Sequence, residues 1–434
     1  MAEKGGVTLA SLTDETLRFV FVRLPVDARA RAAAVCRLWR DVLKDRDLWT
    51  RLDLSRASGV PRVTDAMLRG AAAKAGGGLT ALDITLAPFV TRDALMEVAA
   101  TNWGVLTELN CSITFTHAEL EALFRAAPLL CEFRAKAHVT GVAVGPLLRC
   151  EPPFGPLRIV NLQIHSPWPS NEATMRVFAA ELSANVSPML ALCLMDPPPF
   201  ADGAFDELVD VALERQFETF QLCGLRSVTS ASSLSRLLSC KSLQLLHISG
   251  PSPNETMLIT GLQSSATLIA AALDMNKSLI LFSVEAAGIL SDAAAAEALL
   301  RALSIAHPRL SIISFQGNPA AAADRARIGA SLGALVANTR IGSLNLSGCN
   351  LGDEGLGLLV DALKISTTLH TLACSDNDIS EKFAHQRLRP AILANTSLRL
   401  IQLVPSVGGS AGPAYLRELE QLVNDRVAER RLTA

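Results

Sequence analysis

The sequence predicts an α/β architecture: a small all-α module followed by a curved solenoid of about twelve strand–helix units. Three observations carry this. One apolar phrase, L-x-x-L-x-L, returns along most of the chain. Stretches with apolar residues at helical spacing lie between its returns. The segment ahead of the first return has a different pattern and holds two of the four tryptophans, Trp39 and Trp49. The expected divisions are residues 10–55 for the helical module, 56–78 for a linker or N-terminal cap, 79–404 for the solenoid and 405–434 for a C-terminal capping helix.

The module reads as short helices. In SLTDETLRFVFVRL, Ser11 suits a helix start, with Asp14 and Glu15 in the first turn, where negative side chains meet the positive end of the helix dipole. Leu24-Pro25 ends that helix, because proline restrains the residue before it. The alanine-rich VDARARAAAV is helical. VCRLWRDVL sets Val35, Leu38, Trp39, Val42 and Leu43 along one apolar helical stripe. DRDLWTRLDLS then leads into an extended stretch with Leu52 and Leu54, which suits the edge strand that opens the solenoid. So short a segment buries too little surface to stand alone, since ordering its backbone costs several times what its apolar contacts return. It must dock on the first repeats, on a partner, or on both. A plain N-terminal cap of the solenoid is the alternative reading.

From Leu79 onward the phrase recurs. It reads LTALDIT at Leu79, LTELNCS at Leu106, LCEFRAK at Leu130 and LRIVNLQ at Leu157. It continues with MLALCLM at Met189, FETFQLC at Phe217, LQLLHIS at Leu243 and LILFSVE at Leu279. The last copies are LSIISFQ at Leu310, IGSLNLS at Ile341, LHTLACS at Leu369 and LRLIQLV at Leu398, so the steps run from 24 to 36 residues. The first, fourth and sixth positions point into a core and those between point out, the period of two that a strand imposes. Between phrases, DEGLGLLVDALKIS places Leu356, Leu359, Val360 and Leu363 on a helix face, and DAAAAEALLRALSIA does the same with Leu299, Leu300 and Leu303. One strand and one helix cannot bury their apolar faces alone, but stacked units can.

This pattern resembles the leucine-rich repeat family, in its longer ribonuclease-inhibitor type. LNLSGCNLGDEGLGLLVDAL is the clearest copy, and the resemblance implies that Asn350 bonds backbone groups beyond the strand. The proline-rich CEPPFGP, HSPWPS and MDPPPF interrupt the middle helices and read as irregular loops. The final AYLRELEQLVNDRVAERR carries Leu416, Leu419, Leu422, Val423 and Val427 on one helical face and breaks the phrase. It reads as a cap on the last core edge, with a partner-binding helix as the rival.

The N-terminal module resembles the F-box. The matching residues are Leu12, Leu17, Phe21, Leu24-Pro25, Asp27, Val35-Cys36-Arg37, Trp39-Arg40, Leu48-Trp49 and Leu52-Asp53-Leu54. Two features depart from the family: Leu12-Thr13 stands where Leu-Pro is usual, and Ala28 to Ala34 holds only alanine and arginine where leucines are usual. Both thin the apolar surface. The resemblance implies a Skp-type adaptor as partner and, through it, a cullin-based ubiquitin ligase. The residues assigned to the module's core and adaptor surface are Leu12, Leu17, Leu24 and Pro25, with Val35, Leu38, Trp39 and Trp49.

Composition narrows the remaining classes. A net charge of −2 implies no broad attraction to nucleic acid or to an anionic membrane. Nine dispersed cysteines without a C-x-x-C pair read as reduced thiols, hence an expected cytoplasmic or nuclear protein. No signal peptide or membrane-spanning run is expected, because Asp14, Glu15 and Arg18 interrupt the N-terminal apolar residues. No phosphate loop, metal-ligand spacing or nucleophile elbow is present, so no catalytic, cofactor or metal residue is assigned. Cys349 and Cys374 read as buried structural thiols and His247 as an ordinary solvent-facing side chain.

Outward strand positions are the candidates for reading a target: Asp83, Glu108, Glu132, Arg134 and Lys136 early, then Asn161, Gln163, Gln221 and His247. The span Glu132 to Lys136 is favoured as a compact mixed-charge patch. The leading functional expectation is a non-catalytic substrate-recognition adaptor, a monomer within a hetero-complex. A signalling scaffold without ligase recruitment and an enzyme regulator of ribonuclease-inhibitor type stay open beside it.

Overall fold

The computed structural model describes residues 12–54, 63–138 except 86, 159–164, 191–195, 203–225, 231–250, 266–404 except 307 and 339, and 411–433, with a few single residues between 176 and 200. Two compact units emerge, one of Met1–Ile164 with Ala184–Met189 and the other of His165–Ser183 with Leu190–Ala434.

The first unit opens with α1 (Asp14–Phe21), α2 (Val26–Ala32), α3 (Arg37–Val42) and a 3-10 turn, Arg46–Trp49. The cap of α1 is Thr13 rather than Ser11, which lies outside the described residues; the Thr13 hydroxyl accepts the Thr16 N–H at 3.3 Å. Pro25 caps α2, at a helix start where its missing N–H costs nothing. Helix α3 starts only after Cys36, so Val35 precedes it and the expected stripe is split. Val42 and Leu43 are buried, whereas Val35 is 64% and Leu38 39% exposed. Phe21 and Trp39 meet edge to face with ring centroids 5.4 Å apart.

The module then feeds directly into a sheet. Five parallel strands follow in chain order: β1 (Arg51–Asp53), β2 (Ala81–Ile84), β3 (Glu108–Thr116), β4 (Glu132–His138) and β5 (Ile159–Ile164). Leu52 of β1 sits opposite Leu82 of β2, and both are buried. The stretch 56–78 contains α4 (Asp65–Ala75), which is followed by α5 (Arg92–Ala100) and α6 (His117–Ala126). Ion pairs step from helix to helix, Arg69 to Glu97 at 2.7 Å and Arg92 to Glu119 at 2.9 Å.

The second unit continues the plan with β6 (Ala191–Met195), β7 (Thr219–Cys223), β8 (Leu245–Ser249), β9 (Leu281–Glu285), β10 (Ile312–Ser314), β11 (Ser343–Asn345), β12 (Thr371–Ala373) and β13 (Leu400–Gln402), all parallel where paired. Its helices are α7 (Ala204–Glu214), α8 (Ala231–Leu238), α9 (Ala266–Leu273), α10 (Ala293–Ala306), α11 (Arg325–Asn338) and α12 (Gly352–Ile365). A helical stretch then passes through a π turn at Ala384–Leu388. Each of the twelve phrases begins two residues ahead of its strand. The leucines expected on α10 and α12 are buried. The fold is therefore the expected one, a helical module followed by a leucine-rich-repeat-type solenoid.

Asn350 does not do what the resemblance implies. Its backbone is left-handed at φ 52° and its Oδ1 accepts from Arg325. The position that closes the strand end in that repeat is Cys349, fully buried, whose thiol donates to the Phe315 carbonyl at 3.1 Å. Asparagine fills the equivalent place in neighbouring repeats as Asn318 and Asn377, both buried. Asn318 donates to the Val284 and Phe315 carbonyls and accepts from the N–H groups of Ala287 and Ile289. A second set, Asn276 and Asn395, does the same at the helix-to-strand turns. Such bonds satisfy backbone groups that would otherwise be buried unpaired.

Helix α13 (Pro413–Thr433) buries Leu416, Leu419 and Val423 against the last repeat, while Leu422 and Val427 are half-buried. Its Glu420 accepts the Leu403 N–H at 2.6 Å, and Arg426 donates to the carbonyls of Ile392 and Leu398. The helix thus covers the end of the core. CEPPFGP and HSPWPS lie outside the described residues, as do Asp196, Pro198 and Pro199 of MDPPPF.

Candidate protein-interaction surfaces

The module's interior is organised by one arginine. Arg29 is 6% exposed although it sits in the alanine-rich helix. Its guanidinium donates to the carbonyls of Leu24, Val22 and Leu48, joining α1, α2 and the 3-10 turn. Burial lowers its pKa from the ordinary arginine value. The signal was present in the sequence: Val26, Arg29 and Ala32 share one face, and a charge on a buried face must find partners.

Leu17 and Trp49, read from the sequence as adaptor-binding, are each 1% exposed and belong to the core. A partner cannot reach them. The Trp49 indole N–H donates to the Leu43 carbonyl at 2.9 Å, and the Lys74 ammonium of α4 lies 4.0 Å from the ring centre. Burial lowers the Lys74 pKa. Trp49 therefore locks the module to the first repeat helix. Leu12, Leu24 and Trp39 are half-buried, and Pro25, Val35 and Leu38 face solvent. The sequence reading missed three further exposed apolar residues, Phe19 at 60%, Val22 at 49% and Val20 at 42%. Helical spacing could not separate them from the core, because α1 is apolar on more than one side. An isolated exposed apolar residue is normal; here Phe19, Val20, Val22, Val35 and Leu38 are all exposed within one small module.

A second surface lies where the module meets β1 to β3. A cavity of about 320 Å³ opens there, walled in part by Asp47, Arg51, Asp53, Asp83, Glu108 and Asn110. Arg51 and Glu108 pair through two bonds of 2.8 and 2.7 Å, and this contact raises the Arg51 pKa. Asp83 accepts from the Thr85 backbone and hydroxyl, and from Asn110 at 3.3 Å. Of the early target-reading candidates, Asp83 and Glu108 share this wall. Glu132 stands next to Glu108 in register and is half-buried. Arg134 and Lys136 follow it on β4, with Asn161 and Gln163 opposite them on β5. The side chains of those four lie outside the described residues.

In the second unit Gln221 and His247 stand opposite each other on β7 and β8 and are half-buried. His247 is not a free solvent-facing side chain. Its Nδ1 shares a hydrogen bond of 2.8 Å with the Ser283 hydroxyl, which donates onward to Glu285 at 3.0 Å.

A family model described as F-box-like matches residues 10–55. F-box/LRR-repeat protein 12 of Homo sapiens and of Bos taurus are each 39% identical over 62 residues, 14% of this chain and 19% of the relative. The match thus spans about a fifth of the length of those curated relatives. Among solved structures, the leucine-rich repeat-containing protein LegL7 from Legionella pneumophila is 14% identical with a TM-score of 0.40, over 80% of this chain and 98% of that one. Residues 10–55 are an F-box-like domain placed ahead of a parallel-stranded repeat solenoid.

Proposed function

We propose that the chain is the non-catalytic substrate-recognition subunit of an SCF-type ubiquitin ligase. The module binds a Skp-type adaptor and through it a cullin. The solenoid holds a target protein near the ubiquitin-transferring enzyme, for ubiquitin-dependent degradation, so that proximity accelerates the transfer. The observation that carries this reading is an F-box-like domain that packs on the first repeat and still leaves apolar side chains in solvent. On this reading Pro25, Val35 and Leu38, with the half-buried Leu24 and Trp39, meet the adaptor. Asp83, Glu108 and Glu132 begin the target-reading face, and Arg134, Lys136, Asn161, Gln163, Gln221 and His247 extend it. Cytoplasm or nucleus is the matching location. No helix among the described residues is long and apolar enough to cross a membrane.

The test is direct mixing of the full chain with a purified Skp-type adaptor, followed by calorimetry. A micromolar or tighter complex is expected. Val35→Asp with Leu38→Asp should weaken it roughly tenfold or more, since charging an apolar contact centre costs about 1–3 kcal/mol. Both residues are solvent-exposed, so the thermal melt should hold. Absence of any complex would leave the solenoid as a scaffold without ligase recruitment.

A further inference from the structure

Outward side chains alternate with core ones along β7 to β12, and the register stacks them into rows across the strands. The first row reads Thr219, Leu245, Leu281, Ile312, Ser343 and Thr371. Its centre is aliphatic and open to solvent: Leu245 and Leu281 are half-buried and Ile312 is 39% exposed. The next row is low at β9 and β10, where Ser283 and Ser314 are small and buried. Glu285 follows on β9. It is the only Asp, Glu, Lys or Arg at an outward position of these six strands. Leu281 and Glu285 thus mark the two ends of one strand, about 13 Å apart, with buried serines between them.

The Glu285 carboxylate is held on one side only. Its Oε1 accepts from the Ser283 hydroxyl at 3.0 Å and from the Ser314 hydroxyl at 2.6 Å. The His247 imidazole bonds Ser283 at 2.8 Å, one hydroxyl removed from the carboxylate. Among the described residues Oε2 has no hydrogen-bond partner, and Glu285 makes no ion pair. A carboxylate fixed in this way keeps acceptor capacity for a charged donor, and charge-assisted hydrogen bonds are the strong ones. A metal ion does not fit, because it needs several oxygen ligands. Among the described residues no group of three His, Cys, Asp or Glu side chains is placed to hold one.

We propose that the strand face centred on β9 docks a target segment carrying aliphatic side chains and one lysine or arginine. The aliphatic side chains rest on Leu245, Leu281 and Ile312, and the basic side chain meets Glu285. This docking rests on the target-holding role proposed above for the solenoid and gives the target its chemistry. Charge complementarity selects the occupant. An acidic segment is repelled by Glu285. A wholly apolar one covers the carboxylate without supplying a partner, at a desolvation cost. The flanking first-row residues, Thr219, Ser343 and Thr371, offer hydroxyls instead of aliphatic surface, so the aliphatic contact is confined to β8, β9 and β10. An extended segment laid along β9 covers the distance from Leu281 to Glu285 in about four residues.

The experiment pans a displayed library of random peptides, about twelve residues long, on the immobilised full chain. Recovered peptides should share a lysine or arginine and at least one aliphatic residue. One of them, synthesised with a fluorophore, is then titrated by anisotropy. Glu285→Gln should weaken it roughly tenfold, and so should replacing its arginine by citrulline, or its lysine by acetyl-lysine, on the wild-type chain. The two changes together should cost little more than either alone, as a direct contact requires. Leu281→Ser should weaken binding severalfold. Glutamine can still accept from Ser283 and Ser314, so the Glu285→Gln melt should match wild type; the citrulline or acetyl-lysine arm needs no protein variant. Recovery of no peptide, recovery of acidic or uncharged peptides, or equal binding by Glu285→Gln would overturn the proposal. So would a dimer in light scattering that Glu285→Gln dissolves, because a second copy of the chain would then own this face. Binding of the Skp-type adaptor, measured on the same Glu285→Gln sample, should be unchanged. Peptide failure with adaptor binding intact removes this docking alone, and adaptor failure with peptide binding intact removes the ligase reading alone.

Discussion

At the scale of single residues, buried polar side chains define this protein more than its leucines do. Arg29 closes the module, and asparagines close the repeats. Asn318→Ala would strip two acceptors and two donors of their partner in a fully buried place. The expected loss is about 2–5 kcal/mol in urea denaturation, because unpaired buried groups keep their full desolvation cost; a loss below about 1 kcal/mol would refute this account. Asp65 offers a pH test. The Thr91 backbone N–H, and then the Thr91 hydroxyl, hold its carboxyl below the usual carboxylate range. A depressed folded pKa contributes stability that is complete above the unfolded value of about 3.9 and lost as pH falls through the folded value. The stability gap between wild type and Asp65→Asn should therefore be constant near neutrality and shrink below about pH 4.

At the scale of elements, helix contacts depend on backbone approach. A Cβ on Gly329 of α11 would fall 2.1 Å from the Gly355 carbonyl oxygen of α12, and one on Gly333 would fall 2.9 Å from that of Leu358. Backbone cannot yield as a side-chain tip does. Gly329→Ala should cost about 1–3 kcal/mol by forcing the helices apart, read as a lower melting temperature. Gly70 makes the contrasting case. It lies inside α4 with nothing within 4 Å of the missing Cβ. Gly70→Ala should raise stability by about 0.5–1 kcal/mol, through helix propensity alone. If both changes shift stability the same way, the close-packing argument fails.

At the scale of the molecule, the F-box-like module and the first repeats are one compact unit. β1 supplies the outermost strand of that unit's sheet, and Trp49 packs under Lys74 of the first repeat helix. Deleting residues 1–54 should expose the apolar faces of Leu82 and Ile84 and an unpaired strand edge. The truncated chain is expected to aggregate or melt without cooperativity, as static light scattering and circular dichroism would record. A monomeric, cooperatively melting product would show instead that the module is an appended domain.

The sequence by itself determined the order and type of the elements. The repeating phrase sets twelve strands because alternation along a strand is a local property, and Leu52 with Leu54 announced one more ahead of them. The apolar spacing of α10 and α12 and of α13 was legible for the same reason. Only the tertiary structure decided which members of those patterns stay exposed. Leu17 and Trp49 look like Leu38 and Val35 in sequence, yet burial separates them. It also decided that Cys349 rather than Asn350 closes its repeat, and that His247 meets Ser283 across neighbouring strands. These contacts join residues that are distant along the chain, so no periodicity in the chain encodes them; they exist only once parallel strands bring successive repeats into register.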